Sequence, residues 1–402
     1  MIISFWISIT IVVYTYLGYG IILYLLVKLR EKSTKNEHRK SSQQELNLPS
    51  CSILIAAYNE ESCIREKILN TLSLRYPGHL LEVFIVADGS TDRTVQIISE
   101  YPEVNLLYEP ERKGKIDAVN RAMQFIHTET VVFTDANALL NTNALLHICK
   151  HYSDKNVGGV AGEKRIDISE KADASSAGEN FYWKYESKLK EWDSRLNSAV
   201  GAAGELFSIR RNLYVHLDKD TILDDFIISM RIAGQGYKIV YEPQAYAVEL
   251  SSSDVNEELK RKIRIAAGGM QSILILKHLL NPFKYQILSF QYISHRVLRW
   301  SITPFLLILT FISNLILVAD TGNLLYITLF IVQVMFYSMA ILGYLLEKKQ
   351  LKFRFAFIPY YFCVMNYAVI AGIIKYFRKK QSSVWVKAKR KEKDPLNKML
   401  VS

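Results

Sequence analysis

From Ile2 to Val27 the chain carries no charged residue, and three further uncharged apolar runs stand near its other end, at Ser301–Val318, Leu324–Leu346 and Phe355–Ile374. A bilayer core about 30 Å thick is crossed by roughly 20 apolar residues in a helix, because only helices and closed barrels satisfy their own backbone in lipid. These four segments therefore limit the chain to a hybrid: apolar helices at both ends and one globular domain between them. Composition agrees, with 50% hydrophobic residues beside 22% charged ones, a mixture expected where spans are joined to a folded domain.

The first segment has no basic leader and no small-residue cleavage site, so it reads as a retained anchor. Net charge is +11, and the location of the basic residues decides what that charge means. One cluster (Lys28, Arg30, Lys32, Lys35, Arg39, Lys40) follows the first apolar run, and another (Lys375, Arg378, Lys379, Lys380, Lys387, Lys389, Arg390, Lys391, Lys393) follows the last. This is a positive-inside pattern, which argues for membrane lipids as partners and against nucleic acid. The amino terminus is expected outside, and the globular part in the cytosol of a multi-pass protein of the plasma (inner) membrane. A simple crossing by Phe355–Ile374 would export the basic tail. The segment is therefore expected to be re-entrant, bent near Pro359. The organisation read from these shifts is an anchor over 1–30, a polar linker over 31–49, a globular domain over 50–270, interfacial helices over 271–300, membrane segments over 301–376 and a basic cytosolic tail over 377–402. Within 271–300, the mixture of aromatics with His295, Arg296 and Arg299 suits a helix lying at headgroup level.

In the globular domain apolar runs alternate with helical stretches. Ser52–Tyr58, Leu81–Ala87, Val104–Tyr108 and Val131–Thr134 read as strands, with helices at Ile64–Leu72, Thr91–Ser99 and Ile116–Ile126 between them. Such alternation predicts an α/β domain with a mostly parallel sheet. Tyr182, Tyr185, Leu189, Trp192 and Leu196 recur at helical spacing and read as a stripe packed on the core, with a face shared between core and membrane surface as the alternative. Cys51, Cys63, Cys149 and Cys363 lack C-x-x-C spacing, as expected in a reducing compartment. His147 and His151, four apart but without the glutamate of a zinc hydrolase, read as part of a surface helix.

Ligands of open parallel sheets bind beyond the carboxyl ends of the strands. The residues there are polar: Ala57-Tyr58-Asn59-Glu60 after the first run, Asp88-Gly89-Ser90 after the second, Asp135-Ala136-Asn137 after the fourth. Carboxylates gathered at one edge repel, and a divalent cation carrying a diphosphate offsets the repulsion. Asp135 and Asn137 have the spacing of two magnesium contacts.

In order and spacing these residues resemble the family 2 glycosyltransferases of GT-A fold, a Rossmann-like sheet, over about Ser52–Gly268, and in particular the membrane-bound synthases of cellulose, hyaluronan and poly-N-acetylglucosamine. The resemblance implies a UDP-sugar donor bordered by Ala57, Tyr58 and Glu60, with Asp88 on the uridine and Lys115 nearby. It implies Mg2+ or Mn2+ on Asp135 with Asn137, where many relatives carry a second aspartate. Gly201–Arg211 is similar to the glycine-rich acceptor segment and puts Gly204 and Glu205 beside the acceptor, while Arg210 and Arg211 read equally well as solvated. Asp225, in Leu223-Asp224-Asp225-Phe226, matches the family's general base, with Asp224 raising its basicity by repulsion. Lys260–Ile265 stands where the family has Gln-x-x-Arg-Trp. Arg264 matches and suits the leaving-group phosphate, Arg261 would face the acceptor, and Lys260 and Lys262 also fit a face on lipid headgroups. Trp385–Arg390 looks like Trp-x-x-Thr-x-Arg with alanine in place of threonine, but the preferred reading is a juxtamembrane polybasic anchor.

The implied activity is inverting, metal-dependent sugar transfer to a glycan at the membrane, in surface or extracellular polysaccharide synthesis. Single-sugar transfer to a lipid-linked acceptor is the alternative, and a degenerate nucleotide-sugar or glycan-binding protein is the rival from another class. A small transporter has few intramembrane ionisable residues to support it.

Overall fold

The computed structural model describes residues 1–34, 47–167, 175–250, 255–349 and 353–378. The middle of the linker, Trp385–Arg390 and the basic residues from Lys379 onward lie outside the described residues.

The first apolar run forms α1 (Ile2–Val13) and α2 (Tyr19–Thr34), continuous through a π turn at Tyr14–Gly18. Then comes the expected alternation: β1 (Cys51–Ala57), α3 (Ile64–Leu72), β2 (Leu81–Asp88), α4 (Thr94–Ile98), β3 (Asn105–Glu109), α5 (Lys115–Ala122) and β4 (Thr130–Asp135). β1 lies between β2 and β4, parallel to both, and β2 pairs parallel with β3. Nearly all of β1 is buried because both faces of the sheet are covered. Leu54 joins the core on one side, and Ile53 and Ile55 join the core on the other.

The second half departs from a purely parallel sheet. It comprises β5 (Leu139–Leu140), α6 (Ala144–Cys149), β6 (Val157–Asp167), α7 (Ser175–Leu196), β7 (Phe207–Arg210), α8 (Asp224–Gly234), β8 (Lys238–Leu250) and α9 (Val255–Ile275). The eight strands run β3-β2-β1-β4-β7-β6-β8-β5. β7 enters antiparallel to both β4 and β6, while β6 and β8 pair parallel. The Phe133 and Phe207 rings stack with centroids 4.6 Å apart across the β4–β7 junction. Arg210 and Arg211, expected to be as readily solvated as functional, instead donate to the carbonyls of Val157 and Ile126, respectively, and so tie loops to this strand.

The chain then continues through α10 (Pro282–Tyr292), a π turn at Ile293–Val297, α11 (Leu298–Trp300), α12 (Thr303–Thr321), α13 (Leu324–Lys348) and α14 (Arg354–Phe377). Four helices among the described residues are long and apolar enough to cross a membrane: Ile2–Lys32, Thr303–Thr321, Leu324–Lys348 and Phe355–Phe377. The last corrects the expectation of a re-entrant hairpin. α14 is one continuous helix of 24 residues with Pro359 inside it, a length of roughly 36 Å. Proline forfeits a single backbone bond early in the helix, and the rest of the ladder continues past it.

Two further expectations are corrected by one observation. Leu189 and Leu196 of the α7 stripe pack on Tyr19, Leu23 and Val27 of α2, with Tyr185 and Trp192 beside them, and not on the core of the sheet; the Tyr182 side chain lies outside the described residues. His295, Arg296 and Arg299 are buried among protein groups instead of presenting their side chains to headgroups. The cause is charge on α7. Arg296 pairs with Glu186, and Arg299 approaches the same carboxylate at 3.2 Å. Asp193, fully buried, accepts from Tyr19 Oη at 2.5 Å and Gln291 Nε2 at 3.0 Å, and lies 2.6 Å from His295 Nδ1. Three elements thus meet on one carboxylate. Asp193→Ala leaves these partners unsatisfied, and a loss of about 3–5 kcal/mol is expected, read as a fall in the melting temperature of the full-length protein in detergent. A melting temperature equal to the parent's would remove Asp193 as the junction.

Candidate active site

Parallel pairing brings the carboxyl ends of β1, β2 and β4 side by side, with Ala57 opposite Ala87 and Ala56 opposite Asp135. Asp88, closing β2, is buried and accepts backbone N–H bonds from Lys113 at 3.1 Å and Gly114 at 2.7 Å. The loop after β3 is thereby drawn over the strand ends. The Arg112 guanidinium then lies 3.6 Å from the centroid of the Tyr58 ring, a planar cation stacked on a π face. Glu60 is buried and accepts from the Cys63 thiol at 3.2 Å, and its backbone N–H donates to Thr94 Oγ1 at 2.8 Å.

Lys115, at the start of α5, reaches Asp135 Oδ1 at 3.1 Å and Asp224 Oδ2 at 3.5 Å. Burial alone would lower its pKa, but Asp135, Asp224 and Asp225 together outweigh burial and raise it. Lys115 stays charged and screens three carboxylates. Asp225 is placed by the first turn of α8, where its Oδ1 accepts from Phe226 N at 2.8 Å. Burial first, and repulsion from Asp224 second, push its pKa up to about 7 against the pull of Lys115. Asp135 is likewise raised, by burial and by Glu205 and Glu249, with Lys115 opposing.

Gly204 separates the two raised carboxylates. A Cβ on it would stand 3.5 Å from Asp225 Oδ2 and 3.9 Å from Asp135 Oδ2, so any longer side chain would fill the space they face. Glu205 pairs with Lys164, which also holds Glu249 at 2.6 Å. Burial opposes ionisation of Glu205, but Lys164 wins and lowers it to about 2. Asn137 Nδ2 donates to Glu249 at 3.3 Å. On α9, Arg264 lines the cavity, with its pKa lowered by burial against the attraction of Asp224 and Asp135. Arg261 pairs with Glu258 at 3.0 Å. Lys262 is buried and donates to Glu258 and Tyr361, not to headgroups.

The thirteen residues to which the resemblance gives a donor, acceptor, metal or catalytic role line one cavity of about 320 Å3: Ala57, Tyr58, Glu60, Asp88, Lys115, Asp135, Asn137, Gly204, Glu205, Asp224, Asp225, Arg261 and Arg264. Its other walls were not foreseen. Trp183, Glu186 and Lys190 come from α7, Arg296 and Trp300 from the α10–α12 connection, and Tyr361, Met365, Ala368 and Val369 from α14. The α14 positions fall on one helix face by their spacing, a signal present in the sequence but hidden inside an apolar run. Among the described residues no group of three or more His, Cys, Asp or Glu is disposed to hold a metal ion. Asp135 is one carboxylate that could contribute to such a site, since magnesium takes one or two carboxylates and completes its shell with phosphate oxygens and water. Asn137, turned to Glu249, is a poorer second contact than its spacing suggested.

The profile described as Glycosyl transferase family 2 matches residues 52–217, and the sheet and its flanking helices have the GT-A architecture. Over these residues the chain is similar to the family 2 glycosyltransferases. Among proteins of known function it is similar to the poly-beta-1,6-N-acetyl-D-glucosamine synthase of Staphylococcus aureus, 27% identical over 237 residues, which cover 56% of each chain. It is also similar to the beta-monoglucosyldiacylglycerol synthase of Nostoc, 31% identical over 202 residues, 46% of this chain and 42% of that one. The chain thus spans about half the length of these relatives. A mannosyltransferase of Pyrobaculum calidifontis, solved with GDP-Man and Mn2+, shares the fold over 94% of this chain and 100% of its own, with 23% identity and a TM-score of 0.67.

Gly201 fixes the backbone ahead of Gly204. Its φ is +86°, and a Cβ there would lie 2.2 Å from the Phe226 ring. Gly201→Ala is expected to cost about 2–4 kcal/mol from strain and overpacking together. It should also displace Asp225 by pushing on Phe226. An unchanged melting temperature would refute the assignment.

Proposed function

We propose that this protein is an inverting glycosyltransferase that moves a sugar from a UDP-sugar to a glycan acceptor at the membrane, in the synthesis of a surface or extracellular polysaccharide. The observation that carries the reading is Asp225: a carboxyl group with its pKa raised to about 7, on the same cavity as Asp88, Asp135 and Lys115. A general base works best when its pKa lies near the working pH.

In this reading Asp88, Ala57, Tyr58 and Glu60 hold the uridine, and Lys115 and Arg264 hold the diphosphate. An acceptor hydroxyl, bordered by Gly204 and Glu205 with Arg261 behind them, gives its proton to Asp225. Its oxygen bonds to the anomeric carbon as the bond from that carbon to the diphosphate oxygen breaks, and UDP departs with the electron pair. One displacement inverts the anomeric centre and needs no covalent intermediate. Asp135 would hold Mg2+ or Mn2+, which supplies charge neutralisation of the diphosphate. The basic residues after α2 support a catalytic domain on the cytosolic side of the plasma membrane.

The lining of the cavity by α14 favours one second reading, transfer of a single sugar to a lipid-linked acceptor. The length of the product formed from labelled donor separates the two.

Asp225→Asn should lower turnover by about 10²–10⁴-fold while UDP binding, followed calorimetrically, is kept; a variant as active as the parent would remove Asp225 as the base. Since the base must be ionised, kcat/KM should rise with pH and level off above about 7. Lys115 pulls the Asp225 pKa down, so Lys115→Met should move that limb to higher pH. Chelation with EDTA should abolish turnover, and Mg2+ or Mn2+ should restore it; full activity in EDTA would remove the metal from the reading.

A further inference from the structure

Lys190 has no part in the functional reading so far. It lies on α7, is 94% buried by its 6% relative exposure, and lines the same cavity as Asp225. Among the described residues it has no hydrogen bond or ion pair. Glu186, one helical turn earlier, is engaged by Arg296, Arg299 and His295 instead. Burial and the neighbouring Arg296 lower its pKa, with Glu186, Glu205 and Asp225 opposing; an amine that lines a cavity without a hydrogen-bonding partner is open to an anionic ligand that would complete it.

Its surroundings indicate which ligand. Two basic sets border the acidic residues. Lys115 and Arg264 interact with Asp135 and Asp224, the side read as holding the donor. Lys190 interacts with Arg296, Glu186, Glu205 and Asp225, on the side read as facing the acceptor. Arg296 is itself buried, lines the cavity, and stacks 5.2 Å from the Trp300 ring. The remaining wall is the face of α14 formed by Tyr361, Met365, Ala368 and Val369, on a helix of membrane-spanning length and composition. Gly372 lets that helix lie close against α9, where a Cβ would be 2.7 Å from Ala266 Cβ and Ala267 N. Cationic and apolar walls thus meet beside the base.

We propose that Lys190, with Arg296, binds the phosphate of an amphiphilic acceptor whose hydrocarbon part lies on this face of α14. The ammonium supplies three donors and the guanidinium a planar set, the arrangement that recognises a phosphate. This rests on the reading of the cavity as a transferase site and, within it, on the second reading, transfer to a lipid-linked acceptor, which it narrows to an anionic lipid.

The test is ligand-dependent thermal unfolding of the full-length protein in an uncharged detergent, with UDP present to fill the donor side. The probes are dioctanoyl phosphatidic acid, the uncharged dioctanoylglycerol, and inorganic phosphate. The phosphatidic acid is expected to stabilise the parent, with little effect from the other two. Lys190→Met should weaken its apparent affinity about tenfold or more, as loss of a charged hydrogen-bonding partner does, and Lys190→Arg should retain most of it. Equal stabilisation by dioctanoylglycerol, equal stabilisation by inorganic phosphate, or an unaltered response in Lys190→Met would each overturn the proposal. If UDP itself gives no stabilisation, the transferase reading fails, whatever the lipid arms show; if UDP stabilises and the lipid response does not depend on Lys190, only the acceptor assignment fails.

Discussion

Repulsion among like charges is the constraint around which the cavity is built. Asp135, Asp224 and Asp225 lie close enough for one ammonium, Lys115, to touch two of them and to feel all three. Lys164 does the same for Glu205 and Glu249. The two lysines are not equivalent in effect. Lys164 holds Glu205 ionised, whereas Lys115 serves several carboxylates and leaves Asp225 with its proton affinity raised. Unequal sharing of cations is how neighbouring acids come to differ in basicity.

The parallel half of the fold could be read from the sequence because its signals are local. The run of apolar residues before Tyr58, Asp88 and Asp135 is long enough for a buried strand, and β1, β2 and β4 fall within a residue or so of the expected limits. Polar residues at their ends then had to share one edge. The antiparallel entry of β7 could not be read in this way. Four residues, Phe207–Arg210, carry no direction of their own, and the direction comes from a stacked pair of phenyl rings and from loops held by Arg210 and Arg211.

The differences from expectation around Tyr285–Trp300 and Phe355–Ile374 share a cause. His295, Arg296 and Arg299 look like headgroup contacts when the only partner considered is lipid, yet Glu186 and Asp193 supply buried countercharges from about a hundred residues away in sequence. The same reasoning bent Phe355–Ile374 into a hairpin in order to keep lysines inside. The structure keeps that segment one continuous helix and turns one face of it to the cavity. Charge counting along a sequence gives orientation, but it does not say which charges are already paired.

The meeting of Tyr19, Gln291 and His295 on Asp193 has a consequence for how such a chain can diverge. A carboxylate at position 193 suits neighbours that donate, and a change there strands all three at once. Positions 19, 193, 291 and 295 are therefore bound to drift together or not at all. The first apolar helix, which looks free to accept any greasy residue, carries at Tyr19 a position whose identity is dictated from inside the folded domain.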